Sequence, residues 1–144
     1  MCQLKSAIVL KDRIFFPMDY DNHEQMIREL KLDDTTKNPD FVRVEIIPKD
    51  NDIFNHNLDN WQLKVDQDFR PDWFSKKFAE EELKKELQKW FNERFIIGKI
   101  DQINEGRWFI GKNAKVSTIC GNAKVSYIYG NAEVSTIYGN AEVS

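Results

Sequence analysis

A cysteine beside the initiating methionine is the first side chain whose type and position suit chemistry. If Met1 is removed, Cys2 becomes the N-terminal residue, and its own α-amine can act as the base that activates its thiol. A thiol activated in this way suits the hydrolysis of amide bonds, so Cys2 is a candidate nucleophile. The alternative interpretation is structural, with Cys2 as a small buried thiol at the start of the first strand.

Acidic and imidazole side chains alternate in the stretch "DYDNHE". On a strand, Asp19, Asp21 and His23 would share one face and present oxygen and nitrogen atoms to a divalent cation. The competing interpretation is the start of a helix, with Asp21 or Asn22 as its cap. Because His56 is the only other histidine and the two cysteines lie far apart, the spacing of a zinc site is absent from the sequence. No phosphate-binding loop or dinucleotide motif occurs either, so we expect neither a metal nor a cofactor.

The stretch "WQLKVDQDFRPDWF" places polar residues between two tryptophans. The residues that would line a recognition surface or a small pocket are Trp61, Asp66, Gln67, Asp68, Asp72 and Trp73. Aromatic walls with a few convergent polar groups are typical of binding sites. The alternative is a strand end, a turn and a helix start, with the acidic residues as helix caps.

Three short segments with β-like patterns precede and surround these candidates. "SAIVLKDRIFFP" has a polar break and predicts a hairpin, or one bent strand, that ends at Pro17, while "FVRVEIIP" and "WQLKV" alternate as strands. "HEQMIRELKL" places its apolar residues on about one helical face. These segments predict a small antiparallel or mixed sheet with a helix beside it.

A longer helix is predicted in the stretch that begins "RPDWFSKKF". Pro71 suits the first helical position, and Phe74 and Phe78 are four residues apart. The same spacing continues along the stretch at Leu83, Leu87, Phe91 and Phe95. The economical arrangement packs helices on one face of the sheet, which gives an α+β head over residues 1–103.

Nine-residue repeats fill the rest of the chain, residues 104–144. The recurring positions are Asn113, Asn122, Asn131 and Asn140, each followed by alanine and then by valine at the third place. Because the repeat is rich in β-formers and Gly-Asn turns, it predicts a short β-solenoid with two repeats, eighteen residues, per turn. Gly121, Gly130 and Gly139 would supply left-handed corners, and the asparagines would bond to corner backbone groups.

The last repeat breaks off at Ser144 without a capping sequence. Such an end predicts that the final strands stack on another copy, unless further repeats are missing from the chain. The side chains expected at this self-association surface are Val134, Ile137, Tyr138, Ala141 and Val143.

Two resemblances follow from these stretches. The "YGNAEVSTIYGNAEVS" repeat after a head with "VDQDFRPDWF" resembles proteins of phages and bacterial mobile elements that carry YGNATV-type repeats, which implies a fold and a genomic origin. The start "CQLKSAIVLKDRIFFPMDYD" is similar to that of the choloylglycine and penicillin-V-acylase group. That similarity implies Cys2 as nucleophile and Asp19 or Asp21 as the residue that holds its amine, although Arg13 lies in the turn rather than shortly before the aspartate.

Composition narrows the classes of function. The net charge is −3, and no cluster of basic and aromatic residues suits a nucleic acid, which argues against such a partner. No apolar run is long enough to span a membrane, and the two cysteines favour a reducing, cytoplasmic compartment. We therefore expect a non-enzymatic protein whose head binds another protein, and the resemblance to phage and mobile-element proteins implies a viral or mobile-element origin with inhibition of a host defence system as one role. Its repeats would mediate homo-oligomerisation; the alternative is a cysteine amidohydrolase that uses Cys2.

Overall fold

The computed structural model describes residues 3–143. The chain divides into two compact units, and the division lies between Lys89 and Trp90, inside the second helix. The boundary predicted between residues 103 and 104 lies further along the chain.

A four-stranded antiparallel sheet forms the frame of the first unit. Its elements are the strands Lys5–Val9 (β1), Ile14–Phe15 (β2), Val42–Pro48 (β3) and Trp61–Val65 (β4), the helix His23–Leu30 (α1), and two 3-10 turns at Lys49–Asn51 and Leu58–Asn60. The strand order is β2–β1–β3–β4. The helix Lys76–Arg94 (α2) crosses the division between the units.

Local sequence explains most of these elements. β1 and β2 pair as an antiparallel hairpin, with Ile8 opposite Phe15, which confirms the first of the two predictions for this stretch. The side chain of Asn22 accepts a hydrogen bond from the backbone N–H of Gln25 and caps α1, as one of the predicted caps. α1 then buries Met26 against Ile8 of β1, so the sheet and helix share a core.

Parallel strands make up the second unit. They are Phe95–Ile96 (β5), Lys99–Ile103 (β6), Arg107–Ile110 (β7), Lys115–Ile119 (β8), Lys124–Ile128 (β9), Glu133–Ile137 (β10) and Glu142–Val143 (β11). Alternate strands belong to two sheets, with the orders β10–β8–β6 and β11–β9–β7–β5. Side chains from both sheets, including Val116 and Val125, meet in one apolar core.

The predicted fold class, an α+β head followed by a β-solenoid, is wrong. Residues 3–143 are mostly sheet, in three separate sheets with two helices. The error has a physical cause, because residues 95–103, which were predicted to belong to the head, already form strands of the parallel sheets. Ile96 and Ile103 are instead buried in the same core as the repeats, so the parallel sheets begin before the repeats do. The repeats are the later strands of two ordinary parallel sheets.

Three finer expectations about the repeats are confirmed. Strands pair with the strand eighteen residues on, as Lys115 does with Glu133. Gly121 has a φ of 60°, and a Cβ atom there would lie 2.4 Å from the carbonyl oxygen of Asn104, so only glycine fits that corner. The side chain of Asn131 accepts a hydrogen bond of 3.2 Å from the backbone N–H of Asn113 on the neighbouring corner.

The second helix begins later than predicted. Ser75 rather than Pro71 precedes its first turn, and the Ser75 hydroxyl accepts a hydrogen bond from the backbone N–H of Phe78. Phe74 therefore lies before the helix and Phe78 is exposed, whereas Leu83 and Leu87 are buried as the apolar spacing predicted.

Candidate functional site

The residues predicted to form a recognition cluster in "WQLKVDQDFRPDWF" do not meet in one pocket. Trp61 is fully buried at the start of β4, where its Nε1–H donates to the carbonyl oxygen of Asn55 over 2.7 Å. Asp66, beyond the other end of β4, lies 3.4 Å from Nδ1 of His23. Asp68 and Asp72 are exposed. The tryptophan at the beginning of the stretch therefore belongs to the core rather than to a surface.

Gln67 has a structural role. Its side-chain oxygen accepts from the backbone N–H of Arg43 at 2.9 Å, and its amide nitrogen donates to the carbonyl oxygens of Phe41 and Phe69. An amide that bridges three backbone groups is well satisfied and fixes the path of the chain after β4.

Trp73 is the member of the predicted cluster that lies beside a cavity. Its Nε1–H donates to the carboxylate of Asp40 over 2.7 Å, which fixes the orientation of the ring. Trp73 lines a groove between the β1–β2 turn and the start of α2, with a volume of about 480 Å³. We call this cavity the hairpin groove. Volumes of this order suit small ligands and peptide side chains.

The predicted metal ligands serve other contacts. The Oδ1 atom of Asp21 accepts from Nζ of Lys5 at 2.9 Å and from the backbone N–H of Ser6 at 3.0 Å. Nε2 of His23 lies 3.2 Å from the carbonyl oxygen of Ala7 and 3.0 Å from that of Val44. Carbonyl oxygens only accept, so Nε2 must carry a hydrogen and offers no lone pair to a metal.

Among residues 3–143 there is no cluster of three or more metal-ligating side chains. Asp19 is exposed. Cys2, the candidate nucleophile, lies outside the described residues. Asp21, one of the two residues expected to hold its amine, forms an ion pair with the buried Lys5.

The predicted self-association residues lie on β10, on β11 and on the corner between them. We call β10 and β11 the outer strands, and β8 and β9 the inner strands on which they pair. Ile119 of β8 is 0% exposed, whereas its ladder neighbour Ile137 of β10 is 51% exposed. Val125 of β9 is 1% exposed, and its neighbour Val143 of β11 is 38% exposed. Val134 and Ala141 are half-buried against the core.

Tyr138, also exposed, reaches back to the inner strands. A hydrogen bond to Cys120 is the main cause that raises the pKa of the Tyr138 hydroxyl above its ordinary value. Cys120 is buried and also accepts a hydrogen bond of 3.1 Å from the side-chain amide of Gln102. Tyr138, which follows β10, is therefore linked to Cys120, which follows β8.

Lys11, Arg13 and Phe78 line the hairpin groove but were not predicted as site residues. The sequence carried a signal for the first two, since the polar break between two apolar runs implies an exposed turn. Phe78 was assigned to the apolar face of the second helix, and only the later helix start moves it to the surface.

No helix formed by residues 3–143 combines the length and the apolar character needed to cross a bilayer. Comparisons with known proteins identify no relative: no protein-family model, no curated protein and no solved structure matches this chain.

Proposed function

We propose that the chain is a non-enzymatic binding and assembly protein whose outer strands pair with those of a second copy. The observation that carries the proposal is the contrast between equivalent residues, with Ile119 buried and Ile137 half exposed. Ile137 therefore exposes the apolar surface that Ile119 buries at the equivalent position, and a further strand would cover it.

Strand edges supply the second support. Within the described residues, β10 pairs only with β8 and β11 only with β9. Each outer strand thus has backbone N–H and C=O groups directed away from its sheet, which makes it a template for another strand. Backbone pairing together with apolar contact is the usual basis of strand addition.

At the opposite end of the β11–β9–β7–β5 sheet, aromatic side chains cover the first strands. Trp90 packs at 4.9 Å, between ring centroids, on Phe95 of β5 and at 5.1 Å on Phe109 of β7. The two ends of this sheet therefore differ, and an arrangement of open end against open end is favoured. Such an arrangement is two-fold and closed.

Charge favours antiparallel pairing of the two copies. Along one sheet, Lys99, Lys115 and Glu133 are ladder neighbours, and along the other Lys124 pairs with Glu142. A parallel, in-register outer strand from a second copy would place glutamate beside glutamate, a like-charge contact of the kind between Lys99 and Lys115, which an antiparallel pair avoids. In an antiparallel pair each glutamate lies toward the opposite end of its partner strand.

Light scattering with matched variants tests the proposal. The wild-type chain should have twice the monomer mass, and Ile137→Lys with Val143→Lys should reduce it to one chain. The control is Ile97→Lys, since Ile97 is 75% exposed in the same unit but lies away from the outer strands. This variant should remain dimeric. A wild-type chain that is monomeric throughout a dilution series would refute the proposal.

The identity of the partner of the first unit rests on the resemblance to phage and mobile-element proteins. On that basis we propose a protein of the bacterial host, with a defence system as the target. Co-purification of one host protein with the dimer-deficient variant, and its loss when the hairpin groove is altered, would support this role.

A further inference from the structure

The hairpin groove has an apolar floor that is partly open to solvent. Leu10, Ile14 and Phe74 line it and are half-buried, and Ala79 closes it from the helix side. Phe78 stands at its edge and is 63% exposed. An aromatic side chain with this exposure, next to half-buried apolar neighbours, is a surface that gains from contact with another apolar group.

Charges at the rim of the groove are not balanced. Glu82 and Glu86, on the helix side, form ion pairs with Lys85 at 2.9 Å and Lys89 at 3.3 Å, three residues further along α2. On the turn side, Lys11, Asp12 and Arg13 all line the groove, and none of the three has an ion-pair partner among residues 3–143, which leaves an excess of one positive charge. Both cations are exposed.

Lys11 and Arg13 are separated by one residue, Asp12, in the turn that joins β1 and β2. A hydrogen bond of 2.8 Å from the backbone N–H of Leu10 to the carbonyl oxygen of Arg13 holds this turn. Two cations on a fixed turn, beside an apolar floor, offer a ligand both ion pairing and a place for an apolar side chain.

We propose that the hairpin groove binds an acidic peptide segment of a protein partner. An aromatic or large aliphatic side chain of the peptide fills the space beside Phe78 and Phe74, and flanking carboxylates pair with Lys11 and Arg13. A nucleic acid is the less favoured ligand, because two cations neutralise few phosphates while the apolar floor is the larger part of the groove.

Trp73 forms one wall of this site. Its hydrogen bond to Asp40 holds the indole ring as one wall of the groove. The ring is therefore in place before a ligand arrives, which lowers the entropic cost of binding.

This inference deepens the proposed binding role of the first unit and is separate from the pairing of the outer strands. The dimer-deficient variant Ile137→Lys with Val143→Lys should therefore bind the same peptides as the wild-type chain. A wild-type chain that is monomeric but binds the peptides would refute only the pairing of the outer strands, and a dimeric wild-type chain that binds no acidic peptide would refute only this inference.

Selection from a displayed library of random linear peptides tests the inference on the full chain. Enriched peptides should combine aspartate or glutamate with an aromatic or large aliphatic residue. Their affinity, measured by fluorescence polarisation, should fall about tenfold or more in Lys11→Glu with Arg13→Glu, and by a similar factor in Phe78→Ser. Added salt should weaken binding to the wild-type chain.

A charge-matched control separates the groove from general electrostatics. Lys49→Glu with Arg70→Glu makes the same change of net charge at exposed positions that do not line the groove, and should leave the affinity unchanged. Enrichment of peptides without acidic residues, equal losses in the two charge variants, or tighter binding of a single-stranded RNA oligonucleotide than of any peptide would overturn the inference. Unaltered circular dichroism spectra would confirm that each variant is folded.

Discussion

The contacts that stabilise the first unit internally differ in kind from those that stabilise the second. In the first unit, polar side chains make contacts that are not repeated elsewhere and that connect separate parts of the backbone. Examples are Lys5, His23 and Gln67. In the second unit, the same few residue types recur on neighbouring strands, and their burial decreases from the inner to the outer strands. A unique contact makes a position irreplaceable, whereas a repeated contact makes the effect of a substitution depend on the strand that carries it.

Matched substitutions in the second unit should give the largest difference. Ile119→Ala removes a fully buried side chain and should cost about 3–4 kcal/mol of unfolding free energy. Ile137→Ala, the same change on the neighbouring strand, should cost less than about 1 kcal/mol in the monomeric state because half of that side chain is already in solvent. Urea unfolding monitored by circular dichroism measures both. Equal losses would mean that burial does not decrease along the ladder as the structure has it.

In the first unit, the ion pair between Lys5 and Asp21 should show the effect of a unique contact. Asp21→Ala leaves the fully buried Lys5 without its carboxylate, which should cost about 3 kcal/mol. The value lies at the low end for buried pairs because the carbonyl oxygens of Ser6 and Tyr20 still accept from Nζ. Adding Lys5→Met to that variant removes the buried charge as well and should restore part of the loss. A double variant less stable than the single one would contradict this account.

The sequence predicts local features of both units well. The β1–β2 hairpin, the cap at Asn22, the glycine corners and the eighteen-residue pairing distance all follow from short patterns. Each of these depends on residues near one another in the chain, or on an exact repeat that brings equivalent residues together.

Sequence patterns did not predict the contacts between segments that are distant in the chain. Trp61 and Trp73 each follow a polar residue in the chain, yet one is buried against Asn55 and the other lines a groove beside Asp40. Of the non-repeated strands, β6 pairs with the repeat strand β8 and β5 pairs with β7, so pairing with other strands extends the parallel sheets beyond the repeats. The fold class was wrong for this reason, since the extent of a sheet depends on its partners.

His23 offers a smaller test of the contacts that occur once. Its Nε2–H lies between the carbonyl oxygens of Ala7 and Val44, so His23→Ala leaves two backbone acceptors without this donor and should cost about 1–2 kcal/mol. Glu24→Ala, at the exposed neighbouring position, should change stability by less than about 0.5 kcal/mol. Nitrogen-15 NMR should also find Nε2 protonated. A hydrogen on Nδ1 alone would rule out the contact to the two carbonyls.

The smallest expected effect is a pH dependence of stability in the first unit, because both histidines lie there. Burial lowers the pKa of His56 below its ordinary value of 6.5, and the attraction of Asp52 offsets only part of this shift. The unfolded chain therefore binds a proton at His56 more readily than the folded chain does. The stabilisation is complete above the unfolded pKa and is lost as the pH falls through that value toward the lower folded pKa. The difference in urea midpoint between wild type and His56→Gln should accordingly shift against the wild type from pH 7.5 to pH 5.5. A difference that stays constant with pH, or shifts in favour of the wild type, would show that burial does not control this histidine.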